Sequence, residues 1–135
     1  MNYKVFTSTS GLELIVKHRK SAVIFEANTE QAAEKKHDFT FEFTSQVFSG
    51  LLEYIEEISN KSWSNLISKE CDSFGSDYYE YYDRPLDNNG YLRIGKNVLF
   101  LERPTTESER LYKFDKRKMQ SFIYDFRKLA IPEAS

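Results

Sequence analysis

Three features of this chain predict an α+β fold, a tandem ββββα-ββββα repeat with two antiparallel sheets and two packed helices. The first is an echo between its halves. Phe39-Thr-Phe41-Glu-Phe43-Thr44 alternates as a strand should and runs into an amphipathic stretch carrying Phe48, Leu51, Leu52, Ile55 and Ile58. Leu111-Tyr112-Lys-Phe114-Asp115 does the same ahead of Met119, Phe122, Ile123, Phe126 and Leu129. Placing Phe43 on Phe114 sets Thr44 on Asp115, two residues able to N-cap a helix, and aligns every apolar helix position without a gap. The second feature is that the segments ahead of each match are short, rich in β-branched and aromatic residues, and bounded by polar turns. The third is size: 135 residues, 40% hydrophobic and 30% charged, build one ordinary core and solvate one surface, so a single domain spans 1–135.

The elements follow in order. Tyr3 to Thr7 reads as a strand and Ser10-Gly11 as a turn, and Leu12 to Lys17 and Ala22 to Glu26 extend the strand into a meander. Asn28 to Asp38 is polar and reads as a loop with room for one helical turn. The Phe39 strand then feeds a helix from Thr44 to Ser59, expected to stop at Asn60, which tolerates the left-handed C-cap conformation. That closes the first repeat, 1–60. In the linker, 61–76, the apolar patch Trp63 to Ile67 reads as a helical turn against the first helix. The second repeat, 77–135, offers Tyr78 to Tyr82 as a strand, Asn88-Asn89-Gly90 as a turn, and strands at Tyr91 to Ile94, Asn97 to Glu102 and Arg110 to Phe114. Its helix starts at Asp115 and ends before Pro132, while Pro104 suits a strand end where no ladder donor is needed.

Charge and composition narrow the function. The chain is formally −2 with a pI near 5.8. Sequence-independent nucleic-acid binding requires a basic surface that neutralises several phosphates. Basic clusters exist only locally, at Lys17-His18-Arg19-Lys20, expected at a turn, and at Lys116-Arg117-Lys118, in a helix first turn where positive charge opposes the macrodipole and Asp115 offsets it. Most aromatic residues fall on alternating or helical spacing, which assigns them to the core. Met1-Asn-Tyr-Lys-Val-Phe has no apolar run of signal-peptide length and no stretch reaches the roughly 20 apolar residues of a membrane span, so a cytoplasmic protein is expected. The lone Cys71 makes neither an internal disulfide nor a zinc motif, and His18 and His37 lack ligand spacing. The five glycines are isolated and no nucleophile motif is present. Neither a cofactor nor an enzymatic activity is expected.

The anomalous stretch runs from Glu70 to Asp87. Six acids stand there against the single base Arg84, interleaved with Tyr78, Tyr79, Tyr81 and Tyr82. On a strand, Tyr79 and Tyr81 share one face while Tyr78, Glu80 and Tyr82 share the other, so tyrosine stays near water on at least one of them. Exposed tyrosine anchors interfaces, and neighbouring carboxylates steer a basic partner. The competing reading is an edge strand protected by charge. A second acidic surface is the side of the first helix bearing Glu53, Glu56 and Glu57, where ordinary solvation is the competing reading.

In element order the chain resembles the Whirly fold over nearly its whole length. That fold sets two four-stranded antiparallel sheets opposed like blades, with two helices packed across them, and its known members bind single-stranded DNA or RNA. The acidic, non-catalytic character joined to such an architecture is similar to the cytoplasmic immunity proteins of bacterial contact-dependent growth-inhibition systems. One branch of those is Whirly-like and blocks a ribosomal-RNA-cleaving toxin by covering its active site. The resemblance implies a protein partner, a basic toxin nuclease domain, with nucleic acid and membrane not expected as partners. The contacts expected from the residues themselves are Asp72, Asp77, Tyr79, Glu80, Tyr81, Asp83 and Asp87. Two alternatives stand beside this. One is a single-stranded nucleic-acid binder using Lys17, Arg19, Lys116 and Arg117; the other is a phage-type inhibitor of a nucleic-acid enzyme.

Overall fold

The computed structural model describes residues 2–28, 38–67, 91–102 and 110–130. Over these residues the elements are β1 (Asn2–Thr7), β2 (Glu13–Arg19), β3 (Ala22–Ala27), β4 (Asp38–Glu42), α1 (Ser45–Ser62), β5 (Tyr91–Gly95), β6 (Val98–Glu102), β7 (Arg110–Phe114) and α2 (Lys116–Leu129). Among the described residues the chain is α+β with two antiparallel sheets, one of four strands in the order β1-β2-β3-β7 and one of three in the order β4-β6-β5. The last strand of each half is exchanged: β7 pairs with β3 of the first half, and β4 pairs with β6 of the second.

The two strand-to-helix junctions form as their sequences dictate. Thr44 is extended and its Oγ1 accepts from Val47 N at 3.2 Å; Asp115 is extended and its Oδ1 accepts from Lys118 N at 2.8 Å. Each cap satisfies an orphan amide of the first turn, three residues on. Past the caps, the matched pairs Phe48/Met119, Leu51/Phe122 and Ile55/Phe126 are all fully buried. Phe48 and Phe126 meet across the helices at 4.5 Å between ring centroids, and Phe122 packs under Phe114 at 5.0 Å and edge-on to Phe25 at 6.1 Å. These rings, the inner faces of both sheets and the inward stripes of both helices form one hydrophobic cluster. Aromatic pairs of this kind add about 0.5–1.5 kcal/mol each beyond their area.

Helix α1 extends past its expected stop. Asn60 stays helical, its Nδ2 donating to Glu56 O at 2.9 Å, and the helix closes only where Trp63 N donates to Ser59 O at 2.9 Å. The reason is tertiary: Ser62 is buried, and its hydroxyl donates to Arg19 O at 2.8 Å and Ala22 O at 3.3 Å, so the last turn is held against the β2–β3 turn. Beyond it the expected helical turn from Trp63 to Ile67 is instead a bend and a turn at Ser64-Asn65, with Asn65 at φ 56° and Ile67 N donating to Gln120 Oε1 of α2 at 3.3 Å. Strand β2 also outruns its expected end, so Lys17, His18 and Arg19 lie in the ladder and only Lys20 in the turn.

The sheets are tied at their ends. Thr9 N donates to Glu42 O at 2.7 Å and Phe43 N to Asn97 O at 2.8 Å, fixing the end of β4 between the β1–β2 and β5–β6 turns. The first of those turns is the expected one, with Gly11 at φ 91°, a conformation glycine takes without steric cost. The strand expected at Tyr78 to Tyr82, the Asn88-Asn89-Gly90 turn and the loop before Asp38 lie outside the described residues.

Candidate functional site

Asp72, Asp77, Tyr79, Glu80, Tyr81, Asp83 and Asp87 all lie outside the described residues. What the described residues present is the sheet β4-β6-β5, whose strands β5 and β6 follow that stretch in the chain and whose strand β4 precedes it. In β4-β6-β5 the register places three rows across the strands: Asp38, Glu102 and Tyr91; Thr40, Phe100 and Arg93; Glu42, Val98 and Gly95. The intervening rows, Phe39, Leu101 and Leu92, and Phe41, Leu99 and Ile94, face the core, and all but the partly buried Ile94 are buried. Because neighbours along a strand point to opposite faces, the first three rows form the outer face.

That face is unusual at its centre. Phe100 sits in the middle strand yet is 42% exposed, and it lies in a depression of about 330 Å³ whose rim includes Asp38, Thr40, Tyr91, Arg93 and Glu102. Two aromatic rings are thus bracketed by the carboxylates of Asp38, Glu42 and Glu102, with one guanidinium, Arg93, among them. An exposed aromatic ring with carboxylates around it offers apolar contact at the centre and charge at the rim. The outer face of the larger sheet is different. There Lys17 Nζ meets Glu26 Oε1 at 2.8 Å across the β2–β3 pair, while the large exposed apolar side chains, Tyr3 and Val5, lie on edge strand β1.

The second expected acidic surface is interrupted. Glu53 and Glu57 are exposed on α1, but Glu56 Oε1 accepts from Arg127 Nε of α2. Burial pushes the Tyr54 hydroxyl pKa up from its ordinary value, and the Glu57 carboxylate adds to the effect.

The residues expected for nucleic-acid contact are also redistributed. Lys17 is held by Glu26 and Arg19 is exposed beside it on the same strand, whereas Lys20 and Lys116 come together with Lys61 around a cavity of about 460 Å³. Lys118 turns back, its Nζ 3.8 Å from Asp115 Oδ2. Lys61 carried no sequence signal, since the expected helix stopped at Asn60 and left it in the linker; the structure places it in the last turn of α1. Phe100 did carry one, since Leu99 and Leu101 flank it and alternation sends it outward.

Close by, His18 lies on the side of β2 that faces α1. Its pKa is lowered from 6.5, first by loss of solvent, then by the Lys61 ammonium, with Glu57 opposing. Among the described residues no group of three His, Cys, Asp or Glu side chains could hold a metal ion, and no helix is long and apolar enough to cross a membrane. No family model, curated protein or solved structure matches the chain.

Proposed function

We propose that this chain is a cytoplasmic, non-catalytic inhibitor that occupies the basic cleft of a nucleic-acid-cleaving protein, as the immunity protein of a bacterial toxin system does. The observation that carries the reading is the outer face of β4-β6-β5, where exposed Phe100 stands between Thr40 and Arg93 with Tyr91, Asp38 and Glu102 in the row on one side and Glu42 in the row on the other. A nuclease must present a cationic surface to bind its substrate, and carboxylates with an aromatic ring can take the place of phosphate and base. The exchange of β4 and β7 supports reading the chain as a duplicated unit of Whirly-like design. The hairpin β2-β3 receives β7 on its β3 side just as the hairpin β5-β6 receives β4 on its β6 side. The acidic tyrosine segment from Asp72 to Asp87, which precedes β5 in the sequence, is proposed to contact the same partner. A phage-type inhibitor of a nucleic-acid enzyme would use the same partner chemistry.

Single-stranded nucleic-acid binding is less well supported. It calls for positive charge tracking along a groove, and Lys17 is neutralised by Glu26 while Lys20, Lys61 and Lys116 gather at one hollow. The test is to read the gene directly upstream, where this reading expects a toxin with a nuclease domain, and to co-express that domain with the chain. Protection of growth is expected from the parent chain and its loss from Phe100→Arg, which places a cation in the centre of the face. Growth arrest despite the parent chain, or protection unaltered in Phe100→Arg, would refute this assignment.

A further inference from the structure

Three lysines from three separate segments line one cavity: Lys20 in the β2–β3 turn, Lys61 in the last turn of α1 and Lys116 at the first position of α2. In a chain of net charge −2 this is a local excess of cations, and no ion pair joins any of the three to a carboxylate among the described residues. Like charges gathered without a counter-ion repel one another, and a bound anion removes that repulsion.

The frame around them is fixed by backbone bonds. Ser21 N donates to Ser62 O at 3.1 Å, Ser62 Oγ donates to Arg19 O and Ala22 O, and Ser21 is held at φ 64°. The carbonyls of Ser59 and Ser62, which would present the negative end of α1, are taken by Trp63 N and Ser21 N. On the opposite side α2 begins, and the positive end of its dipole adds to the lysines. The Asp115 carboxylate that caps α2 is engaged by Lys118, through its N at 2.8 Å and its Nζ at 3.8 Å. Ser21 and Ser64 place hydroxyls on the lining, and Trp63 gives it an apolar wall.

We infer that this cavity binds a phosphate dianion carried on a small phosphomonoester or on the 5′ end of an oligonucleotide. A terminal phosphate carries nearly two negative charges at neutral pH, whereas an internal phosphodiester carries one. Lysine binds phosphate as a point charge, and three around one hollow match the dianion better than a strand of monoanions. At about 460 Å³ the cavity is within the size range of small-ligand sites and has room for more than the phosphate itself.

The chain's single tryptophan is Trp63, so its fluorescence reports on the cavity directly. The experiment titrates the full chain with inorganic phosphate, a nucleoside monophosphate, and one oligonucleotide with and without a 5′-phosphate, by calorimetry and by Trp63 emission. Salt is kept low, at about 20 mM, so that screening does not mask the charges. Saturable binding is expected, weakened about tenfold by each of Lys20→Gln, Lys61→Gln and Lys116→Gln and kept by the Lys→Arg counterparts. Preference for the mononucleotide assigns a small ligand; preference for the 5′-phosphorylated over the 5′-hydroxyl strand assigns a nucleic-acid end. Absence of saturable heat with every probe, equal binding of the two strands, or undiminished binding by the triple Lys→Gln variant would overturn the inference. Lys20 and Lys61 are exposed, so their single variants remain interpretable if the triple variant loses its fold.

Discussion

The outer face of β4-β6-β5 and the lysine-lined cavity are built in opposite ways. The face is made by alternation: three strands, each sending every second residue outward, so its chemistry follows from short runs such as Val98-Leu-Phe-Leu-Glu102. The cavity is made by convergence, from a turn, a helix end and a helix start far apart in sequence. The first surface is acidic and aromatic, the second cationic and hydroxyl-rich, and the same core supports both. A surface made by alternation tolerates change at its exposed positions, because the ladder is carried by the backbone. One made by convergence depends on whatever holds its pieces in place.

The sharpest way to break this contrast is within one sheet. Phe41 and Phe100 lie on neighbouring strands, Phe41 with no exposed surface and Phe100 42% exposed. Phe41→Ala removes a core ring and is expected to cost about 3–5 kcal/mol, whereas Phe100→Ala should change stability by less than about 0.5 kcal/mol. Urea unfolding of the two variants measures this. A comparable loss in Phe100→Ala would mean that the ring is structural and the outer face is not free to receive a partner.

The same contrast explains what could be read from the sequence. The strands ahead of both helices, the caps Thr44 and Asp115 and the buried stripes of α1 and α2 were legible because each is set by local spacing and cap chemistry. Which strand joins which sheet was not, because β4 and β7 each stand directly ahead of a helix and nothing in their local sequence says which hairpin receives them. The overrun of α1 was hidden for a related reason: Asn60 is a fair C-cap in isolation, and the bonds of Ser62 to Arg19, Ser21 and Ala22 hold the last turn in place. Of the candidate surfaces, Phe100 was within reach of alternation. Lys61 was not, since nothing in the sequence set it beside Lys20 and Lys116.

Convergence predicts a specific weakness at Ser62. Ser62→Ala leaves the carbonyls of Arg19 and Ala22 without that donor and should cost about 1–3 kcal/mol, less than Phe41→Ala. It should also weaken phosphate binding while leaving partner recognition by the Phe100 face unchanged. Loss of both together would show that the two surfaces are coupled. A smaller effect of opposite sign is expected one residue beyond the lysine of the turn. Ser21→Gly relieves the left-handed backbone at φ 64° but gives the unfolded chain more freedom, for a net gain of about 0.5 kcal/mol by thermal unfolding.

The smallest expected effect gives the most direct measure of the cavity's field. Burial and the Lys61 ammonium hold the His18 pKa below 6.5, so the folded chain favours the neutral imidazole. The sign follows from linkage: the contribution to stability is fully present above pH 6.5, where the unfolded chain is also neutral, and is lost as pH falls through the depressed folded value. Lys61→Gln should move the His18 pKa back toward 6.5 without reaching it, because the burial remains. Occupation of the cavity by phosphate should move it the same way, by screening the same ammonium. Glu102→Gln, on the sheet face, should leave it where it is. Proton NMR titration of the imidazole resolves all three, since only His37 shares that region of the spectrum. A His18 pKa that responds to Glu102→Gln as strongly as to Lys61→Gln would mean that one field spans the molecule; a response to Lys61 alone keeps the cationic hollow and the acidic face electrostatically independent.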